Sequence, residues 1–132
     1  MSNKNNINVY CNNVYINKST VCDGFGAFAG CDFLQGDTIE YGLAKVLTNC
    51  NGHENPVLFT WSDDIPNKTW ASTSGCASYY NTSSQPNCKI IRDFTNNTFT
   101  IIATRDIQAE EELFHTYKSL QWRECFSDIR HV

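Results

Sequence analysis

Short alternations of apolar and polar residues run through most of this chain, and helical spacing is confined to its end. Val9, Val14 and Ile16 stand among polar neighbours and predict one or two short strands across 8–16. Asp23-Gly24 and Gly26 mark a turn before Ala27-Phe28-Ala29. Gln35-Gly36-Asp37 marks another, and Thr38 to Leu47 reads as a strand around Gly42. Residues 49–56 read as a loop, followed by the compact β-rich run Val57-Leu58-Phe59-Thr60-Trp61. Lys89 to Phe94 and Thr98 to Ala103 flank Thr95-Asn96-Asn97; Asn tolerates positive φ, which predicts a β-hairpin. A polar turn over Gln108 to Glu111 leads into a strand from Glu112 to Tyr117, and only Ser119 to Ile129 carries helical spacing. The pattern predicts a mostly β domain of many short strands.

Composition narrows this. A chain of 132 residues with 41% hydrophobic and 13% aromatic residues is long enough for one buried core and too apolar for disorder. We expect one domain over 1–132. No run approaches the roughly 20 apolar residues of a membrane helix, and the polar start lacks the apolar stretch of a signal peptide. The expectation is an intracellular protein, in nucleus or cytosol. On that basis the seven cysteines are read as reduced and structural, and the Asn-x-Ser/Thr matches at Asn17, Asn67, Asn81 and Asn96 as chance. Cys50-Asn51-Gly52-His53 has ligand-like spacing, but no second close pair answers it, so no metal is expected. Net charge is −4 and no basic stripe is visible. That disfavours nucleic acid and suits a basic protein or peptide partner, with monomer and homodimer both open.

Three motifs carry the functional reading. They are Gly24-Phe25-Gly26-Ala27-Phe28-Ala29, Asn81-Thr82-Ser83-Ser84-Gln85-Pro86-Asn87 and Glu111-Glu112-Leu113-Phe114-His115-Thr116-Tyr117. In order and spacing they resemble the signatures of SET-domain protein lysine methyltransferases: Gly-x-Gly-x-Phe-Ala, Asn-His-Ser-x-x-Pro-Asn and Glu-Glu-Leu-x-x-x-Tyr. Phe59-Thr60-Trp61, Gly75 to Tyr80, and Trp122 five residues after Tyr117 resemble further features of small stand-alone members, so the core motifs span 14–126. The resemblance implies several small curled β-sheets, a C-terminal pseudoknot and few short helices.

It also implies chemistry. The expected activity is S-adenosylmethionine-dependent protein lysine N-methylation, with a histone tail as a candidate substrate. Tyr117 is the implied catalytic residue. Gly24, Phe25, Gly26, Tyr80, Asn81, Thr82 and Trp122 are the implied cofactor-binding residues, and Gly26 would let backbone approach the ligand closely. His115, Phe59 and Tyr79 would line the substrate channel. Strand alternation places Leu113, His115 and Tyr117 on one face. Protonation of His115 near its ordinary pKa of about 6.5 would then oppose lysine entry. Three departures stand out. The family's His is Thr82, its turn glycine before Glu111-Glu112 is Glu110, which would change the turn geometry, and only Cys125 stands where many members carry a zinc tail. The alternative reading is a SET-fold module that binds a peptide or partner without methylating it.

Overall fold

The computed structural model describes residues 9–48, 52–53, 58–62 and 69–116. Among these residues nine strands form two sheets: β1 (Val14–Lys18), β2 (Phe25–Ala29), β3 (Thr38–Leu47), β4 (Phe59–Thr60), β5 (Trp70–Thr73), β6 (Asn81–Thr82), β7 (Cys88–Asp93), β8 (Thr98–Ala103) and β9 (Glu112–His115). A single 3-10 turn, Ala77–Tyr79, is the one helical element among the described residues. The smaller sheet has the order β1-β2-β9-β6 and the larger β4-β5-β3-β8-β7. All pairings are antiparallel except β6 with β9. Among the described residues no helix is long and apolar enough to cross a membrane.

The β3 prediction holds at both ends, but alternation fails inside it. Ile39 and Glu40 are consecutive and both fully buried, because the register with β8 shifts between Thr38 and Glu40. A bulge turns two neighbours to the same side. The β7–β8 hairpin follows its predicted chemistry: Asn97 takes φ 53°. The Asp93 carboxylate accepts from the backbone N–H of Thr95 and Asn96 at 3.0 and 3.1 Å, a side-chain turn that competes well with solvent. Gly26 differs from its expected place in a turn; it lies within β2, opposite Asn17. β5 has no signature in the sequence, since four residues give too short a pattern. The expected tail helix, the end of the last strand and the threading of the C-terminal segment concern residues beyond 116, outside the described residues.

The larger sheet curls until its edges meet. Arg92 on β7 donates through Nη1 to the Thr60 carbonyl and hydroxyl of β4, at 2.8 and 2.9 Å. Its guanidinium lies 5.0 Å from the Phe94 ring centre, and Trp61 meets that ring edge-on at 5.3 Å. Trp61 Nε1 donates to Asn97 Oδ1 at 2.9 Å. Between the sheets lies a core of Ala27, Ala29, Phe33, Ile39, Phe99, Ile101, Ile107 and Leu113. Burial of such side chains contributes about 1.5–3 kcal/mol each for the larger ones. The described cysteines, 11, 22, 31, 76 and 88, are free. Cys88 is buried in the core and Cys31 and Cys76 pack against it, whereas Cys22 is exposed, contrary to the structural role expected of it.

Candidate functional site

Three motifs far apart in sequence meet in the smaller sheet. β9 pairs antiparallel with β2 on one side, Ala27 opposite Leu113. On its other side β9 pairs parallel with β6, Asn81 beside Phe114 and Thr82 beside His115. Asn87 holds this arrangement. Its buried amide donates to the Glu112 carbonyl at 2.9 Å and accepts from the Phe114 N–H at 2.8 Å. One side chain thus does for β9 what a neighbouring strand would.

The Glu112 carboxylate is the hub. Oε1 accepts from the backbone N–H and the hydroxyl of Thr20, both at 2.7 Å. Oε2 accepts from Ser19 Oγ at 2.8 Å and Asn81 Nδ2 at 3.1 Å. Burial alone would raise its pKa, but the hydrogen bonds from Thr20, Asn81 and Ser19 together outweigh it and hold the carboxyl below its ordinary value. Gly26 is required here. A Cβ at that position would lie 2.9 Å from Glu112 Cδ and 3.2 Å from Asn81 Nδ2. The close approach expected of Gly26 is therefore made by the chain's own carboxylate.

Asn81 Nδ2 also donates to the Phe25 carbonyl at 3.1 Å and to Ser19 Oγ at 3.2 Å. Its two hydrogens are thus shared among three internal acceptors, and Oδ1 accepts no hydrogen bond among the described residues. An amide oxygen turned away from Glu112 on a half-buried residue suits a cationic group such as an ammonium. Phe25, whose carbonyl accepts from this amide, is 60% exposed.

The other predicted residues fall differently. Gly24 precedes β2, and its carbonyl accepts from the Ser19 N–H at 2.9 Å. Tyr79 is exposed. Tyr80 is buried to 1% exposure and donates its hydroxyl to Glu40 Oε1 at 2.9 Å, so its side chain belongs to the core. Thr82 is buried on β6. Phe59 stacks on His115 with ring centres 6.3 Å apart, and Tyr80 meets the same imidazole edge-on at 6.3 Å. Burial pushes the His115 pKa down to about 4. The expected titration near 6.5 is therefore corrected: a desolvated imidazole between two aromatic rings stays neutral. A hollow of about 250 Å³ opens beside the end of β9, lined by Pro86, Cys88, Lys89, Ile90, Thr104, His115 and Thr116. Tyr117 and Trp122 lie outside the described residues.

Several contributors escaped the sequence reading. Glu112 and Asn87 sit inside the quoted motifs, whose positions could have marked them. Ser19 and Thr20 carry no signal, since their partner is more than 90 residues away. Glu40 is a fully buried acid accepting from Tyr80 and, at 2.7 Å, from the Cys76 N–H. Burial raises its pKa against the lowering effect of those bonds. Gly75 at φ 67° leaves room for that carboxylate. Among the described residues no group of His, Cys, Asp and Glu could hold a metal ion.

A SET domain family model matches residues 24–118. The chain belongs to the SET domain family. No curated protein sequence matches it. Among solved structures, a candidate histone methyltransferase of Plasmodium falciparum matches with TM-score 0.63 and 23% identity, over 80% of this chain and 96% of that one. A Polycomb Repressive Complex 2 structure in complex with H3K27me3 matches with TM-score 0.66 and 20% identity, over 81% of this chain. A humanised Chaetomium thermophilum Polycomb Repressive Complex 2 bound to the inhibitor GSK126 matches with TM-score 0.63 and 25% identity, over 80%. This chain spans 14% and 15% of those two longer chains. These neighbours share the fold of this chain.

Proposed function

We propose that this protein is an S-adenosylmethionine-dependent protein lysine N-methyltransferase acting on a basic peptide, with a histone tail as the first candidate. One observation carries the reading: Asn81 has its donors bound within the chain and its oxygen turned away from Glu112, between the Gly24-Phe25-Gly26 segment and the strand that leads to Tyr117. S-adenosylmethionine supplies an activated methyl group on a sulfonium centre. Asn81 Oδ1 would accept from the ammonium of its methionyl portion, with Gly24, Phe25 and Thr82 as backbone neighbours and Trp122 as a cover. The donor set fits that group, because an amide oxygen and an exposed aromatic ring both favour a cation.

The chain's remaining task is to present a neutral lysine. Selecting that form of a group with pKa near 10.4 costs roughly 4–5 kcal/mol at pH 7. Phe59 and His115, which stack together, would line the lysine channel, where desolvation disfavours the ammonium. A neutral His115 adds no opposing charge. Tyr117 would orient the amine, and positioning supplies much of the remaining rate.

Transfer of labelled methyl from S-adenosylmethionine to core histones tests the activity. Tyr117→Phe should lower kcat at least ~100-fold with cofactor affinity near normal, as expected for an interaction made in the chemical step. A Phe variant as active as wild type would remove Tyr117 from catalysis. The binding-module reading is favoured by Thr82, which replaces the family's imidazole with a small buried side chain. It predicts peptide binding without methyl transfer.

A further inference from the structure

We propose that Glu112 is a positioning residue of the cofactor site: its carboxylate fixes the Asn81 amide in the one orientation that turns Oδ1 away from it and leaves that oxygen to a ligand. The inference rests on the cofactor reading above. An asparagine amide has two orientations that differ by exchanging oxygen and nitrogen. Here the exchange would bring Oδ1 against Glu112 Oε2 and the Phe25 carbonyl, both now 3.1 Å from Nδ2. Two electron-rich oxygens facing a third would be repulsive, so the carboxylate selects the nitrogen-inward state. Ser19 strengthens the selection. Its hydroxyl gives its proton to Glu112 Oε2 at 2.8 Å, which leaves a lone pair to face Asn81 Nδ2 at 3.2 Å.

The carboxylate is itself held. Thr20 contributes two donors to Oε1 at 2.7 Å each, and Glu112 is only 6% exposed. It cannot swing out to meet solvent without releasing the loop between β1 and β2. The absent side chain of Gly26 provides the space for the hub, since any Cβ there would press on both Glu112 and Asn81. Five residues from three sequence regions therefore converge on one consequence, the direction in which a single amide oxygen points.

Glu112→Gln disturbs that direction with little change in shape. The new amide nitrogen must face either the two Thr20 donors or the Asn81 and Ser19 donors. Turning Asn81 over relieves the second conflict and presents Nδ2 to an incoming ammonium. Calorimetric titration of S-adenosylhomocysteine into the full chain should show binding about 10-fold weaker for Glu112→Gln, the scale of one misdirected charge-assisted hydrogen bond. In an Asn81→Ala background the same change should weaken binding less than ~2-fold, because residues acting through one another are not additive. Equal weakening of S-adenosylmethionine and S-adenosylhomocysteine separates positioning from a direct attraction of Glu112 for the sulfonium, which would affect only the former.

Unchanged affinity in Glu112→Gln, or a full additive loss in the Asn81→Ala background, would overturn the inference while leaving the cofactor reading standing. No binding by wild type would instead overturn that reading. If Glu112→Gln does not fold, Ser19→Ala carries the test. It removes one acceptor from Asn81 and should weaken binding about 3-fold, an effect absent beside Asn81→Ala. Wild-type affinity in that variant overturns the inference equally.

Discussion

A neutral imidazole is what burial between Phe59 and Tyr80 leaves at position 115. The consequence lies in stability. The unfolded chain takes a proton on this histidine near pH 6.5, while the folded chain resists it down to about 4. Between those values the unfolded state binds more protons, so stability falls as pH falls, by roughly 3 kcal/mol in all. Below about 4 that loss levels off. Denaturant titrations between pH 7 and 4 should show this decline in wild type and a flatter curve in His115→Phe. Parallel curves for the two proteins would place the imidazole in contact with water. Glu112 titrates in a separate window. Its folded pKa is depressed, so its contribution persists above the ordinary carboxylate range and is lost as pH falls through the lowered value. Residue by residue, the sequence identified Asn81 and Gly26 through their motifs. It could not tell that Gly26 makes room for Glu112, because that requires knowing which strands pair.

The turn before β9 shows what an element can conserve when a residue changes. Glu110 stands where the family carries glycine, and it adopts φ 76°. The turn geometry is therefore kept, contrary to the change expected from losing glycine. The Glu110 N–H donates to the Ala29 carbonyl at 2.7 Å and the Ala29 N–H to the Glu111 carbonyl at 2.9 Å, which fixes β9 against β2. A left-handed conformation costs a non-glycine residue about 1–2 kcal/mol. Glu110→Gly removes that strain and gives back part of it as unfolded-chain entropy, so the variant should gain about 0.5–1 kcal/mol. Thermal unfolding checks this, and a lower melting temperature would show that the Glu110 side chain matters more than its backbone. Elements with their own turn chemistry, such as the β7–β8 hairpin, were legible in sequence. β5 and β6 were not, since strands of four and two residues take their conformation from tertiary pairing.

Across the whole molecule the decisive feature is the parallel pairing of β6 with β9, which carries Asn81 to the strand that precedes Tyr117. No local pattern encodes it. The motif spacing conveyed it only through resemblance, and Asn87 provides the physical reason by bonding to β9 from inside the loop. Curling of the larger sheet, closed by Arg92 on Thr60, brings Phe59 to the same place from the far edge. The proposed cofactor site would follow from these two long-range closures, with Asn81 as the side chain on which it depends. Calorimetric titration of S-adenosylhomocysteine into wild type and Asn81→Ala tests this most directly. Wild type should bind, and the variant should bind about 1–3 kcal/mol more weakly with its fold intact, the scale of a charge-assisted hydrogen bond. Equal affinity in two folded proteins would contradict the assignment of Asn81 to the cofactor.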